Sequence, residues 1–322
     1  MRILWSIHLY PPYHNCGAEY MAHSLNKYLM TCGHKIRVLL HQGKGNRVYD
    51  FQGVDVFPIQ RDSDNHFTNT DIVITHLDYT KWTIGESKRH KKPVIHFVHN
   101  STPYPSILNN PDVYVVYNSE WIKNKLNYPN KSFVLTPPCD WRHYDVNDNP
   151  EESEYITLIN LDWNKGGTIL RELAKRMPQK KFLGVTGSYS ATDDGQILNQ
   201  PGNVKVIPNT SDILPVYKKT RVLIMPSLFE SWGRTATEAM CNGIPVVASA
   251  TPGLTENCGK AGLYVDNRND IDAWVRWIER LDDKKFYKQV SKKCKERSRE
   301  LDPVEKMKEF EEWLIKIGNG QE

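Results

Sequence analysis

Six cysteines in 322 residues, with no two in a C-x-x-C pair, leave little material for a disulfide or zinc framework. They lie scattered at positions 16, 32, 139, 241, 258 and 294, the pattern of reduced thiols in a cytosolic compartment. No run approaches the ~18–20 apolar residues that cross a bilayer. The opening residues MRILWSI read as a strand and lack the length and small-residue cleavage site of a secretory leader. Together these absences place the expectation in the cytoplasm. No G-x-G-x-x-G follows the first strand, which argues against a dinucleotide redox site. The net charge of +4 is too small to demand a nucleic-acid partner.

What is present begins with residues 221–266. Residues 222–225 form a short apolar, partly β-branched run that suits a buried strand. Pro226 and Ser227 end it, a polar loop follows, and residues 234–242 read as a helix with Gly243 at its C′ position. A second buried strand follows at 244–248. A strand, a tight loop and a helix N-terminus form an anion site, because first-turn amides and the positive dipole end point outward. Two carboxylates bracket it. Glu230 lies in the loop, where it can bind a hydroxyl-rich group beyond an anion. Glu238 lies one turn into the helix, on the face shared with Thr235, where it can accept from a vicinal diol. Between them the backbone of Ser231, Trp232, Gly233, Arg234 and Thr235 can approach a phosphate closely. Sugar, diphosphate and ribose would fit in that order.

The string ESWGRTATEAMCNGIPVVA, residues 230–248, resembles the Glu-x7-Glu motif of glycosyltransferase family 4, retaining enzymes with the GT-B fold. Pro252, Gly253, Leu254, Glu256, Gly259, Ala261 and Gly262 extend the likeness to about 45 residues. Trp232 replaces the usual Phe, and Arg234 stands where an apolar residue is common. The resemblance implies two Rossmann-like, doubly wound parallel-sheet domains facing each other across a cleft. It also implies a nucleoside-diphosphate sugar as donor.

The rest of the chain suits that expectation. Strands at 3–7, 36–40, 54–58, 72–75, 94–98 and 113–117 alternate with helical segments, as in a doubly wound sheet with ligands at the strands' carboxyl ends. Gly17 sits where the first strand meets the first helix. The resemblance makes its backbone a neighbour of the donor diphosphate, with Cys16 in place of a second Gly. The run VIHFVHN ends the fifth of these strands with two histidines. Alternation separates His96 from His99; His96 reads as a buried structural histidine. His99 lies at the carboxyl edge and matches the family's acceptor-side histidine. Residues 1–150 are expected to bind the acceptor, and the polar segment 145–154 reads as a linker.

Residues 151–302 are expected to bind the donor. A strand at 155–161 leads to Lys165, Gly166 and Gly167 at a helix start, where a lysine can reach an anion. The family carries an arginine where Asn160 stands, so Arg234 is expected to supply the second cation. The loops at Gly187 and Pro208 match those flanking the base. Asp212 reads first as a helix cap, and as the lone nearby carboxylate it leans the base toward guanine over uracil. Residues 303–317 form a last helix expected to pack back on the first domain. No Asp-x-Asp pair stands beside the Glu230–Glu238 loop, and Asp193-Asp194 reads as a solvent loop, so no catalytic metal or other cofactor is expected.

The leading reading is a retaining transferase moving a hexose or deoxyhexose from a GDP- or UDP-sugar to a glycan, glycolipid or glycoprotein. Its catalytic set would be His99, Glu230 and Lys165. The alternatives are a nucleic-acid base glycosyltransferase and a catalytically silent sugar-nucleotide binder. Residues 284–297 hold seven Lys/Arg against one Glu. That run reads first as a solvated helix face, and second as a contact with an anionic membrane surface or glycolipid headgroup.

Overall fold

A computed structural model describes residues 1–42, 47–60, 63–108, 110–187 and 200–322. The chain forms two compact units, residues 1–138 with 303–322, and residues 139–302.

The first unit is built on β1 (Arg2–Ile7), β2 (Lys35–Leu40), β3 (Tyr49–Phe51), β4 (Val54–Pro58), β5 (Ile72–His76), β6 (Val94–Val98), β7 (Val113–Tyr117) and β8 (Ser132–Val134). Their spatial order is β3-β4-β2-β1-β5-β6-β7-β8. Only β3 runs antiparallel, on β4, at the edge. The central strands are near-continuous apolar runs because helices cover both faces of a parallel sheet. Met21, Leu25 and Leu29 recur at helical spacing along Gly17–Thr31 and enter the core on one face. Phe310, Trp313, Leu314 and Ile317 of the helix Val304–Gly318 complete that same core, so the last helix belongs to this unit.

The second unit is built on β9 (Tyr155–Ile159), β10 (Lys181–Val185), β11 (Val204–Ile207), β12 (Thr220–Met225), β13 (Val246–Ser249) and β14 (Leu263–Val265). Its order is β11-β10-β9-β12-β13-β14 and every pairing is parallel. That is the 3-2-1-4-5-6 order of a doubly wound sheet, with its switch point between β9 and β12. Gly243, at φ +67°, ends the helix Arg234–Cys241 as its left-handed residue.

Two boundaries differ from the sequence reading. The division between units falls between Pro138 and Cys139, not near 150. Cys139 and Tyr144 are buried in the second core, and the backbone N–H groups of Val146 and Asn147 donate to Asn242 Oδ1 at 2.9 and 3.0 Å. The polar stretch is therefore tied down rather than a free linker. The strand expected at 155–161 stops at Ile159, because Asn160 takes φ +77° and turns the chain.

Candidate functional site

The switch point of the second sheet brings two loops together. The loop after β9 carries Lys165, and the loop after β12 carries Ser227 and Glu230. Lys165 Nζ lies 2.6 Å from Glu230 Oε1, and Ser227 Oγ donates to that same oxygen at 2.8 Å. Lys165 remains 30% exposed and Glu230 12%, so the pair sits at a surface a ligand can reach. Each loop opens a helix through a left-handed glycine, Gly166 at φ +107° and Gly233 at φ +84°. A Cβ on Gly166 would meet Pro226 Cγ at 2.2 Å, so glycine is required there for the two loops to close on each other. First-turn amides of both helices point out of their N-termini beside the ion pair.

The other carboxylate of the motif lies one turn into the helix and is more deeply buried. Glu238 is only 5% exposed. Its Oε1 accepts from Arg234 Nε at 2.7 Å, and its Oε2 accepts from the Tyr217 hydroxyl at 2.6 Å. Arg234 also donates to the Tyr144 hydroxyl at 3.0 Å. Burial, followed by the nearby Glu238 charge, raises the Tyr217 phenol well above its usual range, so Tyr217 is the donor. The sequence reading has Arg234 as a diphosphate cation and Glu238 as a diol acceptor. In the structure the two pair with each other inside a buried, hydrogen-bonded network, since a charge one turn inside a packed helix needs a partner. Tyr144 and Tyr217, which complete it, were not legible as site residues.

The remaining positions spread around this centre. Asn160 Oδ1 accepts from Asp162 N at 3.0 Å and closes the loop. Ser231 is half-buried and Trp232 is buried, with the carbonyls of Trp232 and Gly233 held by Asn257 Nδ2 at 3.1 and 3.0 Å. Thr235 turns its hydroxyl toward Met225 Sδ at 3.7 Å. Gly187 is buried after β10 and Pro208 is exposed after β11. Their loops are joined where Asn209 N donates to Thr186 Oγ1 at 2.9 Å. Asp212 Oδ1 accepts from Leu214 N at 3.2 Å, just ahead of the helix Leu214–Tyr217. Asp193 and Asp194 lie outside the described residues.

The first sheet has its own switch point, between β1 and β5. His8 follows β1, His41 follows β2, His76 ends β5 and His99 follows β6, so four neighbouring strands end in a row of histidines. His8 Nε2 lies 3.2 Å from Glu19 Oε1, both buried. His76 Nδ1 lies 3.1 Å from His99 Nε2. Burial lowers the pKa of His41 and of His99 to about 4. His96 faces the interior and bonds Thr80 Oγ1 at 3.0 Å. Gly17, the first residue of its helix, is exposed, and a Cβ there would meet open space, which leaves room for a close approach. Sequence reasoning missed His8, His41, His76 and Glu19. The signal was available, since each histidine closes an apolar run.

Elsewhere, Asp64, Glu86 and His90 are the only trio among the described residues close enough to share a metal ion. Arg89 already bridges Asp64 and Glu86, so the trio reads as an ion-pair network. No helix among the described residues is long and apolar enough to cross a membrane. All six cysteines are free thiols, with Cys139 and Cys241 3.9 Å apart at sulfur.

Two parallel-sheet α/β units in these orders are the GT-B fold. Sucrose-phosphate synthase from Thermosynechococcus elongatus has a TM-score of 0.78 at 17% identity, covering 98% of each chain. HepE from Anabaena, in complex with UDP-glucose, has a TM-score of 0.79 at 17% identity, covering 98% of this chain and 99% of its own. Residues 146–300 match the family described as Glycosyl transferases group 1. The chain is 33% identical over 145 residues to a D-inositol 3-phosphate glycosyltransferase from Mycobacterium sp. (strain KMS). The match covers 41% of this chain and 33% of that relative, so it spans about a third of the relative's length. Residues 146–300 are thus similar to glycosyl transferase group 1 domains, and the two units have the GT-B fold.

Proposed function

We propose that this protein is a retaining glycosyltransferase of the family 4 type. It moves a hexose or deoxyhexose from a nucleoside-diphosphate sugar to a glycan, glycolipid or glycoprotein acceptor. The observation that carries this reading is the Lys165–Glu230 pair at the switch point of the second sheet, flanked by two helix N-termini. Negative charge develops on the leaving diphosphate in the transition state. Lys165 and the first-turn amides at 233–235 stabilise that charge more than the ground state, which is what accelerates the step. Glu230 then accepts from the sugar's hydroxyls once Lys165 turns to the phosphate. His99 orients the sugar, and the departing phosphate takes the acceptor's proton in a front-face attack. HepE's complex with UDP-glucose favours a UDP-sugar donor.

A thermal-shift panel of UDP, GDP, CDP and ADP tests this reading. The right nucleotide stabilises by about 2.7 kcal/mol at a concentration a hundred times its Kd. A response to one base, followed by release of that nucleoside diphosphate from its sugar conjugate and an anomer-retained product by NMR, is the expected result. No response to any of the four, or an inverted product, overturns it.

A further inference from the structure

Among the described residues the His99 ring makes one hydrogen bond, through Nε2 to His76 Nδ1 at 3.1 Å. Its Nδ1 is left for a ligand. His76 is fully buried, and its other nitrogen, Nε2, is buried with no protein partner among the described residues. Both rings are neutral near pH 7, because burial depresses both. One proton therefore sits between them, and two arrangements are open. If His99 Nε2–H donates, His76 must carry its own proton on Nε2, a buried N–H with nothing to receive it. If His76 Nδ1–H donates, the buried Nε2 is a bare lone pair. A buried unsatisfied donor is the rarer and costlier defect, so the second arrangement wins. His99 Nε2 then accepts, and its own proton must be on Nδ1.

We propose that His76 is a positioning residue that locks His99 in the Nδ1–H tautomer, so that His99 acts on its ligand as a hydrogen-bond donor and not as a base. The inference rests on the reading of His99 as a sugar-facing residue. It specifies what His99 contacts: an oxygen offering a lone pair, such as a sugar hydroxyl, and not a hydroxyl that needs its proton removed. Trp5 packs edge-on against the His76 ring, centroids 6.3 Å apart, and Phe97 lies 25° from parallel to the His99 ring, so an aromatic ring flanks each imidazole.

The test is the proton's position in the full-length protein. Two-bond nitrogen–proton NMR on ¹⁵N-histidine-labelled protein, with the resonance assigned by His99→Gln, should show His99 as Nδ1–H. Replacing His76 by Leu should release the lock, giving a mixed or Nε2–H signal. That variant should lose about tenfold or more in kcat while nucleotide Kd stays within about twofold. His76→Asn, whose side chain can still donate near the Nδ1 position, should restore most of the loss. An Nε2–H signal in the wild type, or unchanged kcat in His76→Leu, overturns the proposal. Should His76→Leu not fold, the wild-type tautomer alone decides. If no nucleotide sugar is turned over by the wild type, the proposed function fails, while the tautomer still judges the His76–His99 pair by itself.

Discussion

Lys165 and Glu230 neutralise each other at 2.6 Å across the two loops of the second sheet's switch point. A diphosphate arriving there competes with Glu230 for the same ammonium. Lys165→Ala should therefore weaken nucleoside-diphosphate binding by about 1.5–3 kcal/mol, the range for a charged hydrogen bond. Glu230→Ala should leave the bare nucleotide bound as well as before, or better, and weaken only the sugar-linked form. Calorimetric titration with both ligands measures this; equal losses for the two in Glu230→Ala would contradict the assignment.

The Arg234–Glu238 pair makes a different claim. Removing one member leaves a buried charge without its partner, which costs about 3–5 kcal/mol. Glu238→Ala should lower the denaturation midpoint by that order, and Glu238→Gln by less, since an amide oxygen still accepts from Arg234 or Tyr217. A Glu238→Ala protein as stable as wild type, with only nucleotide binding lost, would return Glu238 to the ligand.

Acid should destabilise the protein earlier than its carboxylates alone would. His41 and His99 titrate at about 4 and His96 at about 3, each because burial penalises the charged ring, against 6.5 in the unfolded chain. Below pH 6.5 the unfolded chain binds protons that the folded one refuses, so stability is full above that value and falls as pH drops toward 4. Urea midpoints between pH 6.5 and 5, above the usual carboxylate range, isolate the effect. A flat profile there would show that these histidines are not held neutral.

Turnover should survive EDTA. Lys165 and two helix N-termini supply the positive field that a divalent ion supplies in other transferases. Activity lost in chelator and regained with Mg²⁺ or Mn²⁺ would contradict this.

Much of the donor-side architecture was legible because its signals are local. Strand, loop, helix and C′ glycine follow one another within residues 222–248, and so do Glu230 and Glu238. The short edge strands β3, β8 and β14 were missed because three residues hold no period. The partners of the Arg234–Glu238 pair were missed for another reason. Tyr144 lies 90 positions away and Tyr217 bonds Glu238 from 21 positions away, distances no motif spans. Each histidine of the row closes its own apolar run, but that they form a row depends on β2, β1, β5 and β6 being neighbours, which no local signal gives.

The first unit takes its core from both ends of the chain, with residues 139–302 inserted between. During synthesis this reverses the usual order. The inserted unit has every strand it needs once residue 302 has emerged, whereas the sheet begun at Arg2 still waits for Phe310, Trp313 and Leu314. The part translated first is completed last, and its exposed apolar face is what a ribosome-bound chaperone would meet.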